Sequence, residues 1–236
     1  MKAFVISLSM IPASAETSVR VLEKLRSYDL DAVLSEGVYG VDAPDIIEKE
    51  NRVVYPYGLK GYLIDERGKR LAGRLGVMGC FLSHYALWKH CQNLNESILI
   101  FEDDVIFTQG WWPVEWKHVL LIATGKSVYQ QPWYARKLLP HDGQPQTIAF
   151  PGHTMPGAVG YGLTPQGAEI LVNHYKNYYL PADNALSSRV VNLECHTHLM
   201  GRAAVGEADQ KKSLTKTQMW ARMREEIANR PLDDQS

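Results

Sequence analysis

The chain has 236 residues, 45% of them hydrophobic and 22% charged, which is long enough for one domain with a full core. Its 25 basic and 26 acidic residues give a net charge of −1, which argues against a strongly basic nucleic-acid binder but leaves a local basic patch open. Three cysteines, an odd number, argue against a disulfide framework and favour a reducing, cytoplasmic environment. No apolar run reaches the roughly eighteen residues that a membrane span needs.

The N-terminal segment predicts a β-α-β unit, which is a typical opening of a nucleotide-binding sheet. The apolar residues Ala3–Leu8 predict a first strand, and Ala32–Leu34 predict a second. Between them, Ser14 is the expected cap of a helix over Ala15–Ser27. The inner side of this helix is predicted to carry Val19, Leu22 and either Leu25 or Arg26.

The same segment also has the pattern of a signal peptide, with Lys2 before an apolar run and the tripeptide Ala-Ser-Ala after it. The run is short, and Ser7 and Ser9 interrupt it. We therefore interpret it as the first strand of the sheet and expect it to be retained.

Residues Val41–Gly76 are polar and rich in glycine, and no strand is clearly predicted there. A cluster of basic residues, Arg67–Arg74, lies near the C-terminal end of this segment. Charge runs of this kind usually belong to a solvated loop. The alternative is that one arginine, Arg74 above all, contacts a diphosphate, because the planar guanidinium group matches phosphate oxygens.

Gly79–Leu94 predicts an amphipathic helix whose buried stripe is formed by Phe81, Tyr85, Trp88 and Cys91. On a neighbouring stripe, His84 is either a hydrogen-bonded core histidine or a residue of a ligand site. A third alternative is a zinc site, although the paired Cys-x-x-Cys spacing of structural zinc sites is absent from the sequence. Its candidate ligands are Cys80, His84, Cys195, His196 and His198.

The stretch Ile98–Phe107 (ILIFEDDVIF) carries the main chemical signal. Its continuous apolar start predicts a strand buried on both faces, and ligands of open α/β sheets bind beyond the carboxyl ends of such strands. Glu102, Asp103 and Asp104 come at that end, and Glu102 and Asp104 share one side of an extended chain. Because adjacent carboxylates repel one another, they predict a hard divalent cation, Mg²⁺ or Mn²⁺. The alternative is an acidic turn at a strand end.

The next segment has three tryptophans, Trp111, Trp112 and Trp116, which are either core residues or a surface for sugar rings. His118–Ala123 predicts a strand. Gly125–Gly157 then has little periodicity, and a loop of this length in a compact domain is usually functional or disordered. We interpret it as a loop on the acceptor side.

Strand character returns at Ala158–Leu163, after which Thr164 is the expected cap of a helix that starts at Pro165. Further on, Asp183 follows a proline at the start of a short helix. It is therefore either a helix cap or a general base that contacts a substrate hydroxyl.

Leu193–Leu199 alternates and predicts a late strand, with His196 and His198 facing one way. From residue 206 the chain is polar, and Lys216–Arg230 predicts a helix that packs on the domain or pairs with another subunit. We therefore divide the chain into a domain at 1–205 and a polar helical tail at 206–236.

Two blocks together, GCFLSHYALW (Gly79–Trp88) and ILIFEDDV, resemble glycosyltransferase family 25, the family of bacterial lipopolysaccharide galactosyltransferases and animal collagen galactosyltransferases. Two later blocks are also similar to the family: VGYGLTPQGAEIL (Val159–Leu171), and a motif formed by Pro181, Asp183 and Leu186. The resemblance covers roughly Lys2–Leu199, and the order of the blocks is more specific than any one of them.

The resemblance implies an α/β, GT-A-like nucleotide-sugar-binding fold with a central, mainly parallel sheet. It implies that the chain is a metal-dependent inverting enzyme that moves a hexose, galactose or glucose, from a UDP-sugar to an acceptor hydroxyl on a glycan or lipopolysaccharide. The resemblance implies that Ser7, Ser83 and His84 belong to the donor site; with Arg74, Glu102 and Asp103, which the chemistry of the residues indicates, they form the predicted donor site. Glu102, Asp104 and a late histidine, His198, are the implied ligands of Mn²⁺ or Mg²⁺, and Asp183 is the implied general base.

Two other functions stay open. A phage-type enzyme that glycosylates modified DNA bases would need a basic groove, for which Arg67–Arg74 is the candidate. A catalytically silent module that binds a sugar or a protein is favoured by Val77, where the family usually has a glutamate. The intact acidic triplet of Ile98–Phe107 argues against that module.

Overall fold

The structure is a computed structural model that describes residues 1–50, 55–56, 69–124, 146–150, 152–155, 157–203, 221–222 and 225–226. At 55–56, 69–74, 124, 178–179 and 202–203 it describes the backbone only. Most of the interpreted acceptor loop and most of the tail after residue 206 lie outside the described residues. The remainder is an α/β fold.

The helices and strands follow one another in an α/β order. The N-terminal half contains β1 (Lys2–Ser7), α1 (Pro12–Arg26), β2 (Asp31–Glu36), a 3₁₀ turn (Gly40–Asp42), α2 (Ala43–Lys49), β3 (Tyr55–Pro56), α3 (Lys69–Leu94), β4 (Ile98–Glu102) and β5 (Val105–Phe107). The C-terminal half contains β6 (Val119–Thr124), β7 (Thr147–Ala149), β8 (Gly160–Leu163), α4 (Pro165–His174), β9 (Tyr178–Tyr179), α5 (Ala182–Ala185), β10 (Leu193–His196) and β11 (Gly201–Ala203).

The predicted β-α-β opening is confirmed, with β1 and β2 paired in parallel, but helix α1 begins earlier than predicted. Pro12 occupies its first turn, where the missing N–H of proline costs no hydrogen bond. Ser14 therefore lies inside the helix and is not its cap, and its Oγ accepts a hydrogen bond from the Leu8 N–H at 2.9 Å. The prediction that Val19 faces inward was wrong, because this side chain is 43% exposed, whereas Leu25 is buried.

Helix α3 is 26 residues long and starts ten residues before the predicted Gly79. Its first turns contain three glycines, and glycine is a poor helix former, so the sequence there has no helical signal. The predicted apolar stripe further along the helix is confirmed as part of the core. The four buried side chains are Phe81, Tyr85, Trp88 and Cys91.

Strand β4 runs through the middle of the sheet, and its apolar residues are buried on both faces, as predicted. Ile98 and Ile100 enter the core that α3 and α4 cover, while Leu99 and Phe101 enter the core on the α1 side. The chain turns at the two aspartates after Glu102 and returns as β5. The strand therefore ends where its carboxylates begin.

The large sheet is mixed rather than mainly parallel. Its described strands have the order β2-β1-β4-β8-β6-β10-β7, and β11 pairs with both β5 and β6. The pairs β1–β2, β1–β4, β6–β10 and β6–β11 are parallel, whereas β4–β8, β6–β8, β7–β10 and β5–β11 are antiparallel. Strand β8 is buried on both faces. A strand of this kind is apolar throughout whether it runs parallel or antiparallel to its neighbours, so its sequence does not predict its direction.

Thr164 caps α4 as predicted, since its Oγ1 accepts a hydrogen bond from the Gly167 N–H at 3.1 Å with Pro165 in the first turn. Of the predicted C-terminal helix, residues 221–222 and 225–226 are described and are helical. Arg222 there donates a hydrogen bond to the Met10 carbonyl at 3.3 Å. Among the helices that the structure describes, none has an apolar stretch long enough to span a membrane.

Candidate functional site

A cleft of about 170 Å³ opens at the carboxyl ends of β1 and β4. These strands are parallel neighbours with Ile6 opposite Glu102, so both end at the same edge of the sheet. The β1 side contributes Ile6, Leu8, Ser14 and Val38; helix α3 contributes Gly76, Cys80, Ser83 and His84; the end of β4 contributes Glu102, Asp103 and Asp104. The cleft lies where the sequence predicted a ligand site.

The Gly-Cys-x-x-Ser-His block positions α3 against the segment that follows β2. A Cβ atom at Gly79 would lie 2.5 Å from the Val38 carbonyl oxygen, so only glycine allows this approach. One turn later, the Ser83 hydroxyl donates to the Gly79 carbonyl at 2.7 Å and accepts from the Val38 N–H at 2.8 Å. These contacts hold α3 in the orientation in which Cys80 and His84 face the cleft.

We expect Gly79→Ala to lower the free energy of unfolding by about 1–2 kcal/mol, because overpacking against a backbone atom costs ~1–3 kcal/mol. The helix-propensity gain of alanine over glycine, at most about 1 kcal/mol, does not offset this cost. Urea unfolding measures the difference. Gly110→Ala is the matched control, since a Cβ there would meet only Tyr28 at 3.7 Å. Equal or greater stability of Gly79→Ala would contradict the tight approach.

His84 is buried, with 1% of its surface exposed, and it joins the core to the acidic edge of the cleft. Its Nδ1 lies 2.9 Å from the Tyr161 hydroxyl, which also accepts a hydrogen bond from the Trp88 Nε1–H at 2.8 Å. Its Nε2 lies 3.4 Å from Glu102 Oε1. His84 is therefore both a hydrogen-bonded core histidine and a residue of the cleft, so the two interpretations of the sequence do not exclude each other.

Cys80 precedes His84 by one helical turn and faces the same cleft. The side chain is open to solvent, but protein atoms surround the sulfur closely. Burial is the main cause that raises the pKa of the Cys80 thiol well above its ordinary value, and the charges of Glu102, Asp183 and Asp104 raise it further. Burial and the neighbouring carboxylates thus both favour the neutral thiol.

Glu102, Asp103 and Asp104 all line the cleft, although the sequence predicted that only Glu102 and Asp104 share one side, because the chain turns at the two aspartates instead of staying extended. A donor set of carboxylate oxygens is the one that Mg²⁺ and Mn²⁺ prefer. The residues present therefore fit the predicted hard cation. Its binding by Glu102 and Asp104 stays a prediction.

Asp183 lies in electrostatic reach of Glu102 and Cys80, although 81 positions separate it from Glu102 in the sequence. Pro181 occupies the capping position of α5, so Asp183 is not that cap, and its Oδ1 accepts a hydrogen bond from the Asn184 N–H at 2.9 Å. Burial raises the pKa of the Asp183 carboxyl, and the charge of Glu102 raises it further, against the lowering effect of backbone hydrogen bonds. A carboxyl in this environment suits the predicted base.

Besides Asp183, three of the predicted site residues are not among the described residues that line the cleft: Ser7, Arg74 and His198. The Ser7 hydroxyl is paired with that of Ser18 at 2.9 Å in the buried space under α1. The backbone of Arg74 belongs to α3, but its side chain lies outside the described residues. His198 follows β10, with its ring centroid 6.3 Å from that of His196. The roles of these three residues stay predictions.

The alternative zinc site divides between two regions. Within the described residues, the group of nearby metal-ligand side chains consists of Cys80, His84 and Glu102. His196 instead lies beside Trp112, with its Nε2 2.8 Å from the Trp112 carbonyl oxygen. Burial is the main cause that lowers the pKa of His196.

Ser14 and Cys80 are two cleft residues that the predicted donor site did not include, although Cys80 was a candidate ligand of the alternative zinc site. Ser14 had the signal of a helix cap, and only the earlier start of α1 turns it toward the cleft. Cys80 stands four positions before His84, a helical spacing that places both on one face, and that spacing was the available signal.

The chain was also compared with known proteins. The family profile of Glycosyltransferase family 25 (LPS biosynthesis protein) matches residues 1–186. A rat (Rattus norvegicus) protein named "Probable inactive glycosyltransferase 25 family member 3" is 27% identical over 191 residues, which are 78% of this chain and 32% of the relative. A "Glycosyltransferase 25 family member" of Anopheles gambiae is 35% identical over 92 residues, 37% of this chain and 15% of the relative.

The chain spans less than a third of the length of these relatives. The profile match nevertheless includes every strand from β1 to β9, helix α5 and all residues that line the cleft. The match also includes the glycine-cysteine and acidic motifs whose geometry builds the cleft. The chain therefore belongs to glycosyltransferase family 25, and its resemblance to that family is confirmed.

Proposed function

We propose that the chain is a metal-dependent inverting glycosyltransferase that moves galactose or glucose from a UDP-sugar to an acceptor hydroxyl. One observation carries the proposal: Glu102, Asp103 and Asp104 line a cleft at the carboxyl end of the central strand β4, together with Ser83 and His84 of α3. Transfer with inversion needs separate groups for the leaving diphosphate and for the acceptor. In this proposal Glu102 serves the leaving diphosphate through the cation, and Asp183 serves the acceptor.

On the donor side, Glu102 and Asp104 would hold Mn²⁺ or Mg²⁺, with Asp103 on the same wall. Such a cation neutralises the negative charge of a diphosphate leaving group. The His84 ring, fixed by Tyr161, limits the positions open to the Glu102 carboxylate. Ser83 acts mainly by holding α3 in place, since its hydroxyl already makes two hydrogen bonds within the protein.

On the acceptor side, Asp183 would take the proton of the attacking hydroxyl. A general base works best when its pKa approaches the working pH, and burial moves the pKa of Asp183 in that direction. The anomeric carbon develops oxocarbenium character as its bond to the diphosphate breaks. Inversion requires the base and the leaving group to lie on opposite faces of the sugar.

The finer features of this function are also proposals. A GT-A-like fold is supported by the β-α-β opening and by acidic residues at the end of a central strand. A lipopolysaccharide or other glycan acceptor is supported by the family description, and a cytoplasmic location rests only on the three free cysteines. Action on modified DNA bases would depend on Arg67–Arg74, whose side chains lie outside the described residues.

A second candidate function is a silent binding module of the same fold. The rat relative, matched over 78% of this chain, is named as probably inactive. Val77, in place of the usual family glutamate, supports the same view for this chain. The acidic wall of the cleft supports an enzyme.

The test is UDP release from UDP-galactose and UDP-glucose, with and without Mn²⁺, in the presence of candidate glycan acceptors. We expect release that depends on the cation and that increases with the correct acceptor. Binding of a donor without any release would favour the silent module. Salt-sensitive binding to DNA, with transfer to modified bases, would instead favour the nucleic-acid acceptor.

A further inference from the structure

Cys80, His84 and Glu102 bring a thiol, an imidazole and a carboxylate to one point of the cleft, and their ligand atoms all lie within 4.8 Å of one another. Bonds of about 2.0–2.3 Å to a tetrahedral zinc ion separate neighbouring ligand atoms by roughly 3.5 Å. His84 Nε2 and Glu102 Oε1 are 3.4 Å apart. This separation is long for a hydrogen bond to a carboxylate but matches two ligands of one zinc ion.

We propose that these three residues form a binding site for a thiophilic divalent cation, with Zn²⁺ as the preferred ion. Three protein ligands with a fourth position open to water is the arrangement of reactive zinc sites. Thiolate and imidazole ligands favour Zn²⁺ over Mn²⁺, and the general affinity order of divalent metals acts in the same direction. The Cys80 thiol loses its proton to solvent as the sulfur–zinc bond forms, so each zinc ion bound releases one proton.

The surroundings of the three ligands support the site independently. A zinc-bound histidine usually donates its other ring N–H to a fixed acceptor, which sets the orientation of the ring. With Nε2 on the metal, Nδ1 of His84 carries the proton and donates to the Tyr161 hydroxyl 2.9 Å away, and Trp88 holds that hydroxyl in place. On the other side of the site, the sulfur of Cys80 receives a backbone hydrogen bond from Ala182.

This inference goes beyond the proposed glycosyl transfer and does not depend on it, since zinc binding requires neither donor nor acceptor. It also differs from the hard-cation site, in which all the predicted side-chain ligands at the β4 end are carboxylates. Glu102 belongs to both sets, so Zn²⁺ and the donor-bound cation compete for its oxygens. The cleft therefore prefers Zn²⁺ when Cys80 is one of the ligands, and Mn²⁺ or Mg²⁺ when carboxylates alone bind the ion.

The test is a titration of the whole chain with Co²⁺, whose bond to a thiolate gives a charge-transfer absorption band. We expect the band to saturate at one equivalent in the unmodified chain and to disappear when Zn²⁺ displaces Co²⁺. Cys80→Ser should lose the band, and Cys91→Ser, on the same helix but buried away from the cleft, should keep it. Tyr161→Phe should weaken zinc binding by about 10–100-fold, as loss of an outer hydrogen bond does.

A second measurement uses the unmodified chain alone. Zn²⁺ should protect Cys80 from alkylation, measured by mass spectrometry, and should release one proton per ion bound. Absence of the cobalt band, its retention in Cys80→Ser, or unprotected alkylation of Cys80 would overturn the zinc site. A chain that binds Co²⁺ through Cys80 but releases no UDP would contradict the proposed transfer alone, and the reverse result would contradict the zinc site alone.

Discussion

Asp183→Asn is expected to lower turnover by about 10²–10⁴-fold, the usual contribution of a general base, while donor affinity stays unchanged. Asparagine has the shape of aspartate and keeps a side-chain oxygen for the hydrogen bond from the Asn184 N–H. The change therefore removes the ability to take a proton and leaves the start of α5 intact. Initial rates of UDP release and calorimetric titration with the donor measure the two quantities.

The pH dependence of turnover should follow the same carboxyl. Burial, and then the charge of Glu102, raise the pKa of Asp183, and the base works only when it is ionised. Turnover should therefore fall as the pH drops through this raised pKa, at a higher pH than for an exposed aspartate. Asp183→Asn should lack this acidic limb.

Stability provides the control for this variant. A carboxyl whose pKa is higher in the folded than in the unfolded state binds protons more strongly when folded, so its ionisation lowers stability above that pKa. At neutral pH, Asp183→Asn should thus be at least as stable as the unmodified chain. Asp45→Asn, an exposed carboxylate on α2, should change neither turnover nor stability. Full turnover in Asp183→Asn would show that another group is the base.

Asp104→Ala is expected to abolish the stabilisation that a UDP-sugar gives in the presence of Mn²⁺. A ligand at a hundred times its Kd adds ~2.7 kcal/mol to the free energy of unfolding of a chain that binds it. In the proposed mechanism the cation would link the donor diphosphate to the acidic wall, so loss of one of its ligands should remove this gain. Thermal unfolding with a panel of nucleoside-diphosphate sugars, with and without Mn²⁺, measures the effect and identifies the base of the nucleotide.

Two comparisons control this experiment. Chelation of the cation from the unmodified chain should remove the shift in Tm as completely as the substitution does. Asp31→Ala removes an exposed carboxylate from the opposite end of the sheet, at the start of β2, and should keep the shift. A shift that persists in Asp104→Ala would mean that other residues hold the cation. No shift with any donor would favour the silent binding module.

The local sequence correctly predicted those features of the fold that lie within a single strand or helix. The apolar run before Glu102 predicted a strand buried on both faces, and the spacing of Phe81, Tyr85 and Trp88 predicted the buried side of α3. Thr164 and Pro165 likewise predicted the start of α4. In each case the signal lies within a few residues, because strand burial, helical periodicity and capping are short-range properties.

Strand direction and the start of α3 could not be predicted in the same way. A strand buried on both faces has the same composition in either orientation, so β8 gave no indication that it runs opposite to its neighbours β4 and β6. The glycines at the start of α3 lack helical preference, and at Gly79 the packing against Val38 requires glycine. Tertiary contacts decided both features.

By itself, the sequence determined that Glu102, Asp103 and Asp104 end a central strand and that the chain resembles glycosyltransferase family 25. Only the tertiary structure decided which residues line the cleft with these carboxylates: Ser14 of α1 rather than Ser7 of β1, and Cys80 and His84 of α3. It also brought Asp183 of α5 into electrostatic reach of Glu102. The physical reason is the distance along the chain. Residues tens of positions apart meet only through the packing of α3 and α5 at the carboxyl end of β4, and no periodicity within one segment contains that information.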